Sequence, residues 1–320
     1  MTNIASYFLV NPKKLQRHYK HKICGFKEWS QLSHAEEYLI YPENLAEQIS
    51  IDEVSLSKGE LYTFVTNKNT GVRNKKSVIA IINGTDSKTI QEVLDKIPKK
   101  SREIVNEVTL DMAPNMAMAA RNCFVHSKQT IDRFHVVRLV LDALQHLRIS
   151  YRWEAIELEN QAIKTAKAEG KRYKPEILGN GDTLKELLAR SRYLLYKYKE
   201  EWTKNQQMRA EILFERYPML YQAYKLVESF RRIFNMLCKK KAKQKFLQWK
   251  QDIMDLKLDS FNSVVNSLEY HLENILNFFN NRNTNANAES FNSKIKQFRA
   301  NLRGVTDVKF FLFRLEKLFT

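Results

Sequence analysis

Hydrophobic and polar positions follow two different rhythms along this chain. Between residues 45 and 135 the apolar residues come in short runs of strand type. "QISIDEV" (48–54) and "LYTFVTN" (61–67) are rich in β-branched and aromatic residues, with "SLSKGE" (55–60) as the turn between them. A second turn, "NKNTGVRNKK" (67–76), leads into "SVIAIING" (77–84), a continuous apolar run suited to the centre of a sheet. Thr85 or Asp86 can then cap a helix whose Ile90, Val93, Leu94 and Ile97 recur at i, i+3, i+4 and i+7, and Pro98 ends it. "VNEVTLDM" (105–112) predicts a fourth strand. Pro114 suits the first turn of the helix "PNMAMAARNCF", and "SKQTID" (127–132) predicts a short fifth strand.

From Phe134 the period becomes helical. Val136, Leu139, Val140, Ala143, Leu144 and Leu147 line one face, and the spacing continues to 169 before breaking at "GNGD" (179–182). Further helices are predicted over 183–200, 204–216, 219–238, 241–257 and 260–280. Between Asp182 and Arg303 there is no glycine, and Pro218 is the one proline. A last amphipathic helix starts near Glu289. Ala288, Phe291, Ile295 and Phe298 form its apolar stripe, while Glu289, Asn292, Ser293 and Lys296 share another face. The order strand, strand, strand, helix, strand, helix, strand is that of ribonuclease H-like sheets, an analogy at the level of fold. The expected architecture is α/β: a ribonuclease H-like core with a mixed sheet, its first three strands antiparallel, and a large all-α insertion before the last helices. Residues 1–45 form a helical N-terminal segment in this reading. Residues 46–135 are the first part of the core, 136–282 the insertion and 283–320 the core's final helices.

Composition narrows the partners. Of 320 residues, 53 are Lys or Arg and 36 are Asp or Glu, a net charge of +17 spread along the chain. That excess favours a polyanion, with nucleic acid first. The runs "KKKAKQK" (239–245) and "RR" (231–232) could face DNA, or simply be solvated helix faces. No apolar run is long enough to span a bilayer, and the N-terminus lacks the order of a signal peptide. Three widely spaced cysteines argue for a reducing cytoplasm. His18, His21 and Cys24 stand at three-residue spacing but lack a fourth ligand, so zinc is poorly supported.

Four acids stand where an acid is costly or unexpected. Asp52 interrupts an apolar strand, Asp111 and Asp132 end strands, and Glu289 opens a basic helix. In a ribonuclease H-like sheet the first and fourth strands are neighbours, which would set Asp52 beside Asp111. Two close carboxylates repel unless a cation neutralises them, and hard oxygen ligands suit Mg or Mn. A third carboxylate from a helix on that sheet would complete a site for two ions acting on a phosphodiester. Glu289 fits that role by periodicity, with Asn292 and Lys296 able to meet phosphate nearby. It also fits a helix N-terminal acid that complements the dipole, and Asp52 fits a surface acid at a strand end.

The stretches "ISIDEVSLSKGELYTFVTN", "VTLDMAPNM", "TIDRFHVVRLVLDALQHLR" and "NTNANAESFNSKIKQFRANLRGV" with "FFLFRL" resemble the DDE transposases of bacterial insertion sequences. The chain is most similar to the ISL-three family, in particular to Bacteroidetes-type members whose catalytic part is a separate chain. Carried over by position, this resemblance implies Asp52, Asp111 and Glu289 as the catalytic, metal-binding triad, with two Mg or Mn ions. The gaps of 59 and 178 positions leave room for a helical insertion before the last acid. Asp132 and His135, in D-R-F-H, are similar to an accessory signature of related transposases. An alternative makes Asp132 the second ligand, but Asp111 is preferred because the fourth strand lies beside the first. Asn292, Lys294, Lys296, Arg299 and Arg303 read as DNA contacts. The implied activity is metal-dependent cleavage at element ends and strand transfer into target DNA, by a dimer, on nucleoid DNA in the cytoplasm. A structure-specific nuclease or a non-catalytic DNA-binding derivative are the alternatives. Residues 1–45 show no clear zinc finger or helix-turn-helix, so end recognition is expected to be missing or supplied by another chain.

Overall fold

The computed structural model describes residues 2–56, 59–68, 77–282, 286–301 and 307–319, with the side chains of 2, 3 and 286–289 excepted. The chain runs through α1 (Thr2–Tyr7), α2 (Pro12–His18), β1 (Tyr38–Ile40), β2 (Gln48–Ser55), β3 (Leu61–Asn67), β4 (Val78–Asn83), α3 (Ser87–Leu94), α4 (Lys99–Arg102), β5 (Glu107–Leu110), α5 (Pro114–Cys123), β6 (Lys128–Ile131) and α6 (Arg133–Ala168). It continues through α7 (Leu184–Arg190), α8 (Lys204–Arg216), α9 (Pro218–Ile233), α10 (Lys239–Asp255), α11 (Asn262–Tyr270), α12 (Leu272–Leu276), α13 (Phe278–Asn281), α14 (Ala286–Asn301) and α15 (Val308–Phe319). Two units emerge, residues 1–132 with 283–320, and residues 133–282. Among the described residues no helix is long and apolar enough to cross a membrane.

The first unit is built on a mixed sheet of order β1-β4-β3-β2-β5-β6. The pairs β1/β4, β3/β4 and β2/β3 are antiparallel, whereas β2/β5 and β5/β6 are parallel. Both faces of β2 are covered. Ile49 and Ile51 pack with Ile90, Val93 and Leu94 of α3 and with Met116, Ala119 and Ala120 of α5. Val54 and Phe64 pack on the other side with Phe291 and Ile295 of α14 and with Phe311 and Leu315 of α15. Each such side chain contributes roughly 1.5–3 kcal/mol on burial, which is what seats the C-terminal helices on the sheet. Asp86 proves to be the cap of α3, its carboxylate accepting from the Lys88 and Thr89 amides.

Residues 1–45 differ from the expected helical segment. They hold α1, α2 and a π-turn at Tyr19–Ile23, but also strand β1 and a 3-10 turn at Pro42–Asn44. Three residues carry too little alternation to announce a strand. Pairing with β4 defines it, and Leu39 is fully buried there. The same stretch is tied to α15 through Glu316, which accepts from Trp29 Nε1 and Tyr41 Oη, each at 2.6 Å. Burial, and then this carboxylate, push the Tyr41 phenol far above its ordinary range.

The second unit is helical. In α6, Val136, Val140, Ala143 and Leu144 are buried as the spacing predicts, but beyond Ser150 only Ala155 is. The break at "GNGD" is a turn with Gly181 at φ 82°, a conformation glycine adopts without strain. The helix expected over 183–200 stops at Arg190. There the Ser191 amide and hydroxyl both donate to the Leu187 carbonyl, at 3.0 and 2.6 Å, the Arg192 amide bonds to Ala189 three residues back, and Leu194 and Leu195 are buried. Phe230 and Trp249 meet at 4.6 Å between ring centroids, with Trp249 Nε1 donating to the Leu226 carbonyl.

Candidate active site

Asp52 lies on β2 between Ile51 and Val54, and alternation along the strand turns it to the α14 side. It is 8% exposed. Its Oδ1 accepts from the Glu53 amide at 2.9 Å, and its Oδ2 accepts from Asn292 Nδ2 at 2.5 Å. The α14 stripe explains that bond. Phe291 packs edge-on to Phe64 and Phe319, and Ile295 is fully buried, so the helix is locked with Asn292 over β2.

Parallel pairing of β2 with β5 matches Gln48 with Glu107, Ile49 with Val108 and Ser50 with Thr109. Two residues further along stand Asp52, on β2, and Asp111, just past the end of β5. Neighbouring strands are about 4.8 Å apart, and both acids follow the paired stretch towards the same end of the sheet. Asp111 is half-buried and accepts from the Ala113 amide at 2.8 Å, which shapes the turn into α5. Asp132 follows β6, which pairs with β5 and not with β2. It is one strand further from Asp52 than Asp111 is, and is 1% exposed. His135 sits in the first turn of α6, in the second unit.

Lys68 is a feature the sequence hid inside a turn. Its amide donates to the Gln48 carbonyl at 3.0 Å, extending the β3 pairing, and its Nζ donates to Thr109 Oγ1 at 2.6 Å. The ammonium thereby reaches across β2 into a buried polar layer. Ser50, Thr109 and Thr130 stand in one row of that layer, with Glu107 before it and Asp132 after it. Burial pushes Lys68 down to about 8, against the upward pull of Glu107 and Asp132. No spacing rule could have found it, because the contact joins three strands.

The expected DNA contacts divide. Asn292 is not a free phosphate contact, because it is buried and bonded to Asp52. Arg299 is not one either. It is 6% exposed, ion-paired with Glu60 and stacked over Phe311 at 4.8 Å. Its position one turn past Ile295 puts it on the packed side of α14. Lys296 is exposed and Lys294 is half-buried. Arg303 and the side chain of Glu289 lie outside the described residues; Glu289 itself is one turn before Asn292 on α14. In the second unit, Lys239 and Lys243 of the basic run pair with Glu273, while Lys240, Lys241 and Lys245 are exposed.

Whether this region suits a hard cation can be tested on Asn292. Its Oδ1 is buried and accepts no hydrogen bond among the described residues. An orphaned acceptor beside a carboxylate, with a second carboxylate just past the end of the neighbouring strand, is a donor set that fits Mg or Mn. Among the described residues no three His, Cys, Asp or Glu side chains converge.

A family model described as "Transposase", DDE_Tnp_ISL3, matches residues 49–315. Two curated relatives, from Mycobacterium tuberculosis strains CDC 1551 / Oshkosh and ATCC 25618 / H37Rv, are each named "Transposase for insertion sequence element IS1557". Each is 26% identical over 208 residues, which cover 64% of this chain and 45% of the relative. The match thus spans less than half the length of those relatives. No solved structure matches at a significant level.

Proposed function

This chain belongs to the DDE_Tnp_ISL3 family of transposases, and from that premise we propose that it is the catalytic subunit of an insertion-sequence transposase, cutting DNA at element ends and joining them to target DNA. One observation carries the reading: β2 and β5 run parallel in a register that leads to Asp52 and Asp111, and α14, which holds Glu289, is docked on Asp52 through Asn292. The order β4-β3-β2-β5-β6, antiparallel and then parallel, supports a ribonuclease H-like core.

Asp52, Asp111 and Glu289 would hold two Mg or Mn ions. When bound, such ions activate an attacking oxygen and stabilise the leaving oxygen of an in-line phosphodiester displacement. Asn292 fixes the rotamer of Asp52 through its amide N–H. Lys68 offsets carboxylate charge in the adjoining buried layer, keeping the sheet end from being purely acidic. In the first reaction a water oxygen attacks the phosphodiester at the element end, and the departing oxygen becomes a free 3′ hydroxyl. In the second, that hydroxyl gives up its proton and attacks a target phosphodiester, the target strand's P–O3′ bond breaks and its 3′ oxygen leaves as a hydroxyl, so neither step needs a protein nucleophile. The net charge of +17 suits salt-sensitive binding of element and target duplexes. Bringing two ends together calls for at least a dimer. A separate chain would supply end recognition, and the reaction would take place on nucleoid DNA in the cytoplasm.

The test supplies pre-cut element ends, a target plasmid and Mg or Mn. Joining that disappears in Asp52→Asn, Asp111→Asn and Glu289→Gln supports the proposal. Cleavage without joining would indicate a structure-specific nuclease. DNA binding with neither reaction, even with an upstream partner chain present, would leave a non-catalytic DNA-binding protein and sink the proposal.

A further inference from the structure

The second unit buries two charged side chains, and they are treated in opposite ways. Asp182 is 1% exposed and sits between two cations, Arg190 and Arg209. Arg148, on α6, is 5% exposed and pairs with no carboxylate among the described residues. Its Nε donates to Gln145 Oε1 at 2.7 Å and its Nη1 to the Leu188 carbonyl at 2.9 Å. Both partners are neutral. A buried cation with no counter-charge is costly, and natural interiors rarely keep one without a use for it.

Two further guanidiniums make the imbalance larger. Arg152 stands one turn along α6, and Arg192 lies just past the end of α7. Both are exposed, neither is ion-paired among the described residues, and both are near enough to push the Arg148 guanidinium down, after burial itself. Gln145 ties the group together. Its Oε1 holds Arg148 and its Nε2 donates to the Arg192 carbonyl at 3.2 Å, which sets the two arginines on one frame. Arg192 also leans on the ring of Tyr193, which is 68% exposed. Three like charges are thus gathered at a surface, one of them rigidly oriented from below. An anion would relieve the repulsion among them, and a guanidinium fork matches the geometry of phosphate oxygens.

We propose that Arg148, Arg152 and Arg192 form a phosphate-binding site in the helical unit, and that its ligand is the backbone of duplex DNA. This deepens the transposase reading and rests on it: the helical unit grips the element by this defined site, with Arg148 as the fixed anchor and the two exposed arginines as the arms that close on the phosphate. It differs from the lysine run of α10, which offers mobile charges without a buried member.

Fluorescence anisotropy of the full chain with a labelled random-sequence DNA duplex tests it, across a salt series. Arg152→Ala and Arg192→Ala alter exposed residues and should leave the thermal unfolding midpoint in place. Each should weaken binding and lower the slope of log affinity against log salt by about 1. Arg148→Lys keeps the charge but loses the fork, and should weaken binding as well. Lys164→Ala, an exposed control on the same helix, should leave the affinity several-fold tighter than the arginine variants. If all three arginine variants bind as the wild type does, with the same slope, the site is overturned while DNA binding by the chain stands. If the wild-type chain shows no salt-sensitive duplex binding even with an upstream partner chain present, the transposase reading falls with it. If the variants lose stabilisation by inorganic phosphate but not DNA affinity, the site is one for free anions and the DNA assignment is wrong.

Discussion

Asn292 Nδ2 donates to Asp52 Oδ2 at 2.5 Å across 240 positions of sequence, and its Oδ1 is left buried without a partner among the described residues. The amide therefore does two things. It fixes one carboxylate of the proposed site and offers a neutral oxygen beside it. Asn292→Ala should lower strand joining about 10- to 100-fold, the usual cost of removing a group that orients a ligand. It should also raise the Mg or Mn concentration needed for half-maximal joining. A metal titration of joining checks both, and an unchanged midpoint would show that Asn292 serves packing alone.

Lys68 should make stability depend on alkaline pH. Its folded value, about 8, lies below the ordinary 10.5, so between those values the unfolded chain holds the proton more firmly. Stability then rises as pH climbs from about 8 towards 10.5, where the lysine is neutral in both states. Wild type should gain up to about 3 kcal/mol over Lys68→Met across that window. Urea unfolding of both proteins at several pH values measures the difference. A constant difference would mean that Lys68 is not buried as a cation.

Asp182 should behave in the opposite sense. Burial raises its carboxyl, but hydrogen bonds from Arg209 and Arg190 outweigh that and hold it below its ordinary 3.8. Its contribution is present above that value and is lost as the pH falls through the lower, folded one. Asp182→Asn leaves the two arginines facing each other and should cost about 3 kcal/mol near neutral pH. A thermal or urea melt that is unmoved would show that the helical unit does not depend on this clamp.

Arg299 and Lys296 lie on the same helix and should separate cleanly. Arg299→Ala removes the partner of Glu60 and the cover of Phe311, so it should destabilise the first unit by about 3 kcal/mol. Lys296→Ala changes an exposed side chain. It should leave the melt within about 0.5 kcal/mol of wild type and instead weaken duplex binding at low salt. Melting and anisotropy on both variants decide the matter, and the reverse pattern would return Arg299 to the DNA surface.

Much of this architecture could be read in the sequence because its signals are local. "SVIAIING" announced a central strand through unbroken apolar residues, and β4 is buried from Val78 to Ile82. Phe291, Ile295 and Phe298 recur at helical spacing, and they pack in one core. The three-residue β1 was not legible, since too few positions alternate to register. The end of α7 was not legible either, because a shift of the Arg192 amide to a carbonyl three residues back leaves no trace in a hydrophobic pattern.

What the sequence alone determined is where the longer strands and helices form, which faces are apolar, and that Asp52, Asp111, Asp132 and Glu289 occupy unusual positions. The tertiary structure decided which charges meet. Arg299 and Lys296 look alike in a basic run, yet one is buried against Glu60 and the other is exposed. Lys68 reads as a turn residue until β3, β2 and β5 align, and Arg148 reads as one more helical arginine until its surroundings prove to hold no carboxylate. The reason is physical. Periodicity is set by bonds between residues two to four positions apart, whereas charge pairing depends on strand register and helix docking between segments far apart in the chain.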